Sequence, residues 1–162
     1  RDVRGGSCEN GANIQLYQRN GSDAQLFKIV RSSEAGYYNI VNKGSGKVLD
    51  VENGGVASGT NVQLYETNGT VAQQWKIFLK DSTSEKIYIV AHCGKFLDVS
   101  GGSSSNGTNI WIYDENRTVS QEFILIPYIN TTYKTIEIDF NDINSWINEI
   151  ERVQRDLTYG GS

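Results

Sequence analysis

The sequence has no methionine, one proline, one histidine and only two cysteines. One histidine and two cysteines leave no plausible zinc site, so we expect neither a metal nor another cofactor. Cys8 and Cys93 do not form the spaced framework of a disulfide-rich domain, and whether they pair stays open. Because the chain lacks an initiator methionine and a signal peptide, we expect it to be a processed or excised piece of a longer protein.

Basic clusters and long apolar runs are also missing. The formal net charge is −4, and a chain without basic clusters is a poor partner for nucleic acid or an anionic membrane. No apolar run approaches the roughly 20 residues of a membrane-spanning helix, so we expect no membrane insertion. Glycine is abundant, with 17 residues, which is typical of an all-β protein whose turns use positive φ.

One stretch of sequence occurs three times with a constant period. The Asp-Val pairs that begin the copies lie at residues 2, 50 and 98, which places successive copies 48 residues apart. A tyrosine follows each of these aspartates by 15 residues, and a Gln-x-aromatic motif begins eight residues after each tyrosine. Self-similarity at a fixed period outranks other sequence signals for the fold. The chain is therefore predicted to consist of three structurally equivalent copies.

Short apolar runs separated by Gly- and Asn-containing turns predict four strands per copy. The second copy has predicted strands at 38–41, 47–51, 61–65 and 74–79, and the third at 87–91, 95–99, 109–113 and 122–126. The first copy lacks its first strand at the N-terminus. Four short strands per copy without helical periodicity predict a closed all-β arrangement of threefold design.

The pattern changes after the third copy. The repeats, about 1–35, 36–83 and 84–129, form one predicted domain, and residues 130–162 form a C-terminal extension with a strand at 133–140 and an amphipathic helix at 142–157. The extension strand would replace the missing strand of the first copy by pairing near Asp2 and Val3. The alternative is that upstream residues supply that strand and that the extension leads to another domain.

Each copy is predicted to display the same polar set on its outer surface. Side chains alternate faces along a strand, so with Leu49 and Leu64 in the core, Asp50, Gln63 and Tyr65 point outward. The turn after the tyrosine adds an asparagine. The sets are Asp2, Gln15, Tyr17 and Asn20; Asp50, Gln63, Tyr65 and Asn68; and Asp98, Trp111, Tyr113 and Asn116.

Such a set suits a sugar. The apolar face of a pyranose can lie on a tyrosine ring, its hydroxyls can donate to a carboxylate, and an amide both donates and accepts. A shallow site of this kind implies an affinity near millimolar, roughly −4 kcal/mol, which three sites can strengthen through avidity. Surface tyrosines and turn-forming aspartates are common for structural reasons alone. Their recurrence at one spacing in three copies favours a functional role.

Other polar residues are kept out of these predicted sites. The Gln-x-aromatic motifs are interpreted as core and backbone-bonding residues, and the lone His92 as incidental. The motif residues are Gln25, Gln73 and Gln121, with Phe27, Trp75 and Phe123.

The pattern LDV…GG…GT-x-VQLY-x-x-NG-x-x-AQQW resembles the repeat of ricin B-chain-type β-trefoil lectins and family 13 carbohydrate-binding modules. The resemblance covers residues 1 to about 126 and implies a three-lobed β-trefoil of about twelve strands. It also implies sites for galactose-, xylose- or arabinose-type sugars at the three sets of residues given above. The sequence departs from the family pattern at Trp111, where the other copies have Gln, and at Arg1, which precedes Asp2 where the other copies have Leu.

The leading hypothesis is a non-catalytic carbohydrate-binding module that targets an attached secreted enzyme or toxin to glycans. The alternative is a structural or protein-binding trefoil with vestigial sugar sites. Glycoside hydrolysis needs two carboxylates roughly 5–10 Å apart, and the aspartates lie on separate copies, so catalysis is rejected. The turn asparagines at 20, 68 and 116 all lie in N-glycosylation sequons. Because glycans there would block the sites, the sequence favours a bacterial source.

Overall fold

The structure is a computed structural model that describes residues 2–18, 20, 22–83 and 85–124. The predicted extension, with its strand at 133–140 and its helix at 142–157, lies outside these residues. Within the described part of the chain, no helix is long and apolar enough to cross a membrane.

The fold is all-β, as the repeat pattern predicts. Every strand predicted in the second and third copies is present with ends shifted by one residue, except that residues 125 and 126 of the last one are not described. The strands are β1 Asp2–Val3, β2 Ile14–Gln15, β3 Phe27–Arg31, β4 Tyr38–Asn42, β5 Val48–Val51, β6 Val62–Tyr65, β7 Trp75–Leu79, β8 Lys86–Ala91, β9 Phe96–Val99, β10 Ile110–Tyr113 and β11 Phe123–Ile124.

The described strands pair only in antiparallel fashion. β1 pairs with β2, and the other strands form one sheet in the order β10-β9-β8-β7-β4-β5-β6, with β3 on β4 and β11 on β8. The register is equivalent in the three copies, hereafter lobes one to three. Asp2 lies opposite Gln15, Asp50 opposite Gln63, and Asp98 opposite Trp111. Each aspartate therefore faces the strand residue predicted to share its site.

Each lobe also contains two single-turn 3₁₀ helices that sequence reasoning missed. They are Arg4–Gly6 and Asp23–Gln25, Glu52–Gly54 and Val71–Gln73, and Ser100–Gly102 and Val119–Gln121. The middle residue of the first helix in each lobe has a positive φ, at Gly5 (62°), Asn53 (54°) and Gly101 (63°). Asn tolerates this left-handed conformation better than other non-glycine residues. The Gly-rich segment after each Asp-Val pair is therefore a tight turn beside the predicted site.

The core is formed by the inward-facing residues of the strands. Leu49, Leu64 and Trp75 are completely buried, and the Trp75 indole donates to the Leu49 carbonyl at 3.1 Å. The partly buried Phe27 and Phe123, which occupy the position of Trp75 in the other lobes, pack against the same cluster. The core role predicted for the aromatic residue of each Gln-x-aromatic motif is confirmed.

Three asparagines join the lobes in a closed ring. In each of them Nδ2 donates a hydrogen bond to Oδ1 of the next. Asn13 donates to Asn109 (2.9 Å), Asn109 donates to Asn61 (2.8 Å), and Asn61 donates to Asn13 (2.8 Å). These residues precede β2, β6 and β10, so the ring ties together one equivalent point of each lobe. The asparagine recurs visibly in the sequence, but nothing local in the sequence identifies its partners.

Candidate functional sites

Lobe two shows how the predicted aspartate is held. The Asp50 carboxylate accepts a hydrogen bond from Nε2 of Gln63 at Oδ1 (3.1 Å) and one from Nε2 of Gln73 at Oδ2 (3.0 Å). Asp50 lies on the predicted face of the strand but is only 5% exposed. The expectation that it stands open on the outer surface is therefore wrong, because the helix Val71–Gln73 packs across β5.

Gln73 connects the carboxylate to the neighbouring turn. Its Nε2 also donates to the Glu66 carbonyl (2.9 Å), and its Oε1 accepts from the Asn68 backbone N–H (3.0 Å). Both ends of this amide are thus engaged, which fixes its orientation. The prediction that the motif glutamine bonds the backbone is confirmed. Sequence reasoning keeps this glutamine apart from the predicted site, whereas the structure joins it to Asp50. Gln73 orients the predicted ligand-binding carboxylate.

The same network recurs in the other lobes. Nε2 of Gln25 donates to Oδ2 of Asp2 at 3.0 Å, and Nε2 of Gln121 donates to Oδ2 of Asp98 at 2.9 Å. Each of these glutamines follows its aspartate by 23 residues. This constant separation follows from the repeat, whereas the contact itself comes from the fold.

The turn asparagines use their carbonyl oxygens internally. Oδ1 of Asn68 accepts from the backbone N–H (3.0 Å) and the hydroxyl (2.7 Å) of Thr70, and Asn116 has the same two bonds with Thr118. In lobe one, Oδ1 of Asn20 accepts from the Ser22 N–H at 2.9 Å. The carbonyl of Asn68 has both lone pairs occupied. A ligand can therefore meet this side chain chiefly as an Nδ2 donor.

The tyrosines are the accessible part of each site. Tyr17 is 40% and Tyr113 39% exposed, and Tyr65 is half-buried at the end of β6. Asp50 lies opposite Gln63, and Tyr65 follows Gln63 by two residues on the same strand. Because side chains two residues apart point to the same face, the tyrosine ring and the carboxylate share one face. The ring offers an apolar surface beside a fixed carboxylate.

In lobe one the four predicted residues line one depression of 520 Å³. Asp2, Gln15, Tyr17 and Asn20 are joined there by Cys8 and by residues of the helix Asp23–Gln25 and the β4–β5 turn. The bond from Gln15 Nε2 to Oδ1 of Asp2 is long, at 3.5 Å, and Arg4 Nε donates to Gln15 Oε1 at 3.4 Å. Cys8 and Cys93 are both free and exposed.

Lobe three has a different residue beside its carboxylate. Nε1 of Trp111 donates to Oδ1 of Asp98 at 2.9 Å, in the position of the Gln63 amide of lobe two. The Trp111 ring stacks on Tyr113 with centroids 5.6 Å apart and an interplanar angle of 25°. The set predicted from the repeat is thus assembled in all three lobes, with an aromatic pair in the third.

An ion-pair cluster lies apart from these networks. Glu122 follows Gln121 in the motif, and its carboxylate contacts Lys80 Nζ at 2.7 Å and Lys86 Nζ at 3.1 Å. Hydrogen bonds from these lysines lower the pKa of Glu122, and the bond to Glu122 raises the pKa of Lys80. The cluster joins β7, β8 and the start of β11, which indicates a structural role.

The buried carboxylate of each lobe keeps some capacity to accept hydrogen bonds. Each lobe has one buried carboxylate whose two oxygens accept one side-chain donor each, which leaves further lone pairs for a ligand. Among the described residues, no group of three or more His, Cys, Asp or Glu side chains is placed to hold a metal ion. The molecule is thus a β-trefoil in which each of three lobes holds an aspartate, a glutamine and a tyrosine at corresponding positions.

The chain belongs to the ricin-type β-trefoil lectin domain-like family, whose profile matches residues 2–65, 23–113 and 71–138. No curated protein matches the sequence. The repeat identified from the sequence is therefore the repeat of this family.

Solved structures agree with the family. The designed threefold-symmetric protein ThreeFoil is 38% identical, with a TM-score of 0.70 over 75% of this chain and 85% of its own. An exo-β-1,3-galactanase from Clostridium thermocellum, 1,3Gal43A, is 33% identical, with a TM-score of 0.71 over 77% of this chain but only 27% of the enzyme. A Macrolepiota procera ricin B-like lectin in complex with lactose shares the fold, at 19% identity and a TM-score of 0.57 over 65% of this chain and 73% of its own.

Proposed function

We propose that the protein is a non-catalytic carbohydrate-binding module with up to three sugar sites. The observation that carries the proposal is the network of lobe two, in which Gln63 and Gln73 hold the Asp50 carboxylate beside the Tyr65 ring. The bond from the motif glutamine to the aspartate recurs in the other two lobes. Vicinal hydroxyls would donate to the carboxylate while the sugar ring lies on the tyrosine and Asn68 donates from Nδ2. Hydrogen bonds to a charged group contribute about 1.5–3 kcal/mol each.

The comparisons support this proposal and guide the choice of sugar. Membership of a lectin-like family favours sugar binding over a purely structural trefoil. The relation to part of a galactanase favours galactose-type sugars, with xylose- and arabinose-type sugars as the next candidates. Because the chain corresponds to 27% of that enzyme, the protein is proposed to target an attached, secreted bacterial enzyme or toxin to glycans.

Substitution at lobe two tests the assignment directly. The Tyr17→Ala/Tyr113→Ala background leaves lobe two as the intact site. In this background Tyr65→Ala is expected to weaken sugar binding about 5- to 150-fold, since loss of a stacking ring removes on the order of 1–3 kcal/mol. Calorimetry with the best ligand from a glycan array measures the change. Phe78→Ala, at a 49% exposed aromatic outside the sites, is the matched control and should leave binding unchanged.

A glycan array without binding to any sugar would instead favour the alternative, a structural or protein-binding trefoil. Equal affinities of the Tyr65→Ala protein and its parent would show that lobe two is not the site. Circular dichroism of each variant separates loss of binding from loss of fold.

Multivalent glycans are expected to bind about 10²–10⁴ times more tightly than single sugars, because three equivalent sites on one domain can engage together. Surface plasmon resonance on a dense glycan surface measures this gain. We introduce three substitutions one at a time, and each should remove part of this gain in affinity: Tyr17→Ala, Tyr65→Ala and Tyr113→Ala. If one of these variants alone removes all binding, the other two lobes do not bind sugar.

A further inference from the structure

The three sites differ at the residue that lies across the strand pair from the aspartate. Gln63 of lobe two and Trp111 of lobe three both donate a hydrogen bond to Oδ1 of their aspartate, at 3.1 and 2.9 Å. The glutamine amide also has an acceptor oxygen, whereas an indole has a donor only. Lobe three therefore replaces a polar group by an apolar surface and keeps the bond that holds the carboxylate.

A glycine of the preceding lobe lies beside the indole. Gly59 lies beside the six-membered ring of Trp111, and a Cβ added to this glycine would stand 3.8 Å from Cε3 of the indole. Gly11 occupies the corresponding place beside Gln63, at 3.7 Å from Oε1. Gln63 and Trp111 thus have an equivalent backbone neighbour at almost the same distance, and they differ in the side chain itself.

Trp111 enlarges the site without closing it. Asp98 is 5% exposed, the same as Asp50, and Tyr113 is 39% exposed, compared with 40% for Tyr17. Trp111 itself is half-buried. The carboxylate is therefore as buried as that of lobe two, and the tyrosine ring is as exposed as that of lobe one. The partly exposed indole extends the aromatic surface by a second ring.

We propose that lobe three selects glycosides with an apolar aglycone, such as an aryl group, whereas lobes one and two do not distinguish them from simple sugars. The proposal rests on the proposed function. The hydroxyls of the sugar would bind Asp98 and its ring would contact Tyr113. The apolar aglycone would lie on Trp111, because aromatic surfaces attract one another beyond the area they bury.

The test compares two probes of one sugar, methyl β-galactopyranoside and 4-nitrophenyl β-galactopyranoside, together with the corresponding xylosides. In a full-length Tyr17→Ala/Tyr65→Ala protein, we expect the aryl glycoside to bind lobe three about three- to tenfold more tightly than the methyl glycoside. The indole N–H resonance of Trp111, assigned by its loss in Trp111→Gln, reports binding at this lobe alone.

Exchange of the side chains completes the design. Trp111→Gln installs the residue of the other lobes. With lobes one and two disabled, calorimetry should show that the ratio of the two dissociation constants falls to about one, whatever the effect on absolute affinity. Gln63→Trp, measured with lobes one and three disabled, should raise the ratio at lobe two. If Gln63→Trp does not fold, the ratio in Trp111→Gln decides.

The failures are distinguishable. A lobe three that binds both galactosides equally, or a ratio unchanged in Trp111→Gln, overturns this inference and leaves the proposed function standing. Absence of binding of all four glycosides at every lobe overturns the proposed function and this inference with it.

Discussion

Gln73→Leu is expected to lower the free energy of unfolding by about 2–4 kcal/mol and to abolish sugar binding at lobe two. The substitution removes the bond from Nε2 to the Asp50 carboxylate and the bonds to the backbone of Glu66 and Asn68. The buried Asp50 carboxylate would then have one side-chain hydrogen-bond donor left, the amide of Gln63. The turn that presents Asn68 would lose its anchor at the same time.

The neighbouring residue provides a matched control. Gln74 is 6% exposed, its Oε1 has no hydrogen-bond partner, and lobe one has Leu26 at the equivalent position. Gln74→Leu should therefore change the free energy of unfolding by no more than about 0.5 kcal/mol, or stabilise the protein. Urea denaturation followed by circular dichroism measures both variants. Equal destabilisation by the two would show that Gln73 acts by bulk rather than by its bonds.

Much of the fold was predictable because its signals are periodic. The spacing of 48 residues identifies the three lobes, and alternation along 61–65 places Leu64 in the core and Gln63 and Tyr65 on the other face. The 3₁₀ helices were not predictable in this way. A helix of three residues, such as Val71–Gln73, is too short to show a helical period.

The candidate site was predictable in its members but not in its burial. Recurrence identified Asp50, Tyr65 and Asn68. The structure joins Asp50 and Asn68 through Gln73 and places Tyr65 on the same face of the strand pair as Asp50. Alternation indicates which face of a strand a side chain occupies, but not what covers that face. The cover over Asp50 comes from a segment about 20 residues further along the chain, and only the fold brings the two together. The asparagine ring, with Asn13, Asn61 and Asn109 in three lobes, has the same long-range origin.

The difference between Gln63 and Trp111 also predicts unequal tolerance to loss of the carboxylate charge. In lobe two, Asp50→Asn replaces a carboxylate oxygen by an amide nitrogen, which donates hydrogen bonds and cannot accept them. The Gln63 amide can flip, so that its oxygen accepts a hydrogen bond from this nitrogen. In lobe three no such adjustment exists. The Trp111 indole only donates, and Gln121 is fixed by its bonds to the Asp114 carbonyl and the Asn116 N–H.

Asp98→Asn is therefore expected to lower the free energy of unfolding by about 2 kcal/mol more than Asp50→Asn, because one buried donor must face another. Urea denaturation of the two variants measures the difference. The excess cost should disappear when Asp98→Asn is combined with Trp111→Gln, since that glutamine can turn over as Gln63 does. A double-mutant cycle isolates this coupling between Trp111 and Asp98. Equal destabilisation at the two aspartates, or additivity in the cycle, would contradict the donor-only role of the indole and place its effect in packing against Tyr113.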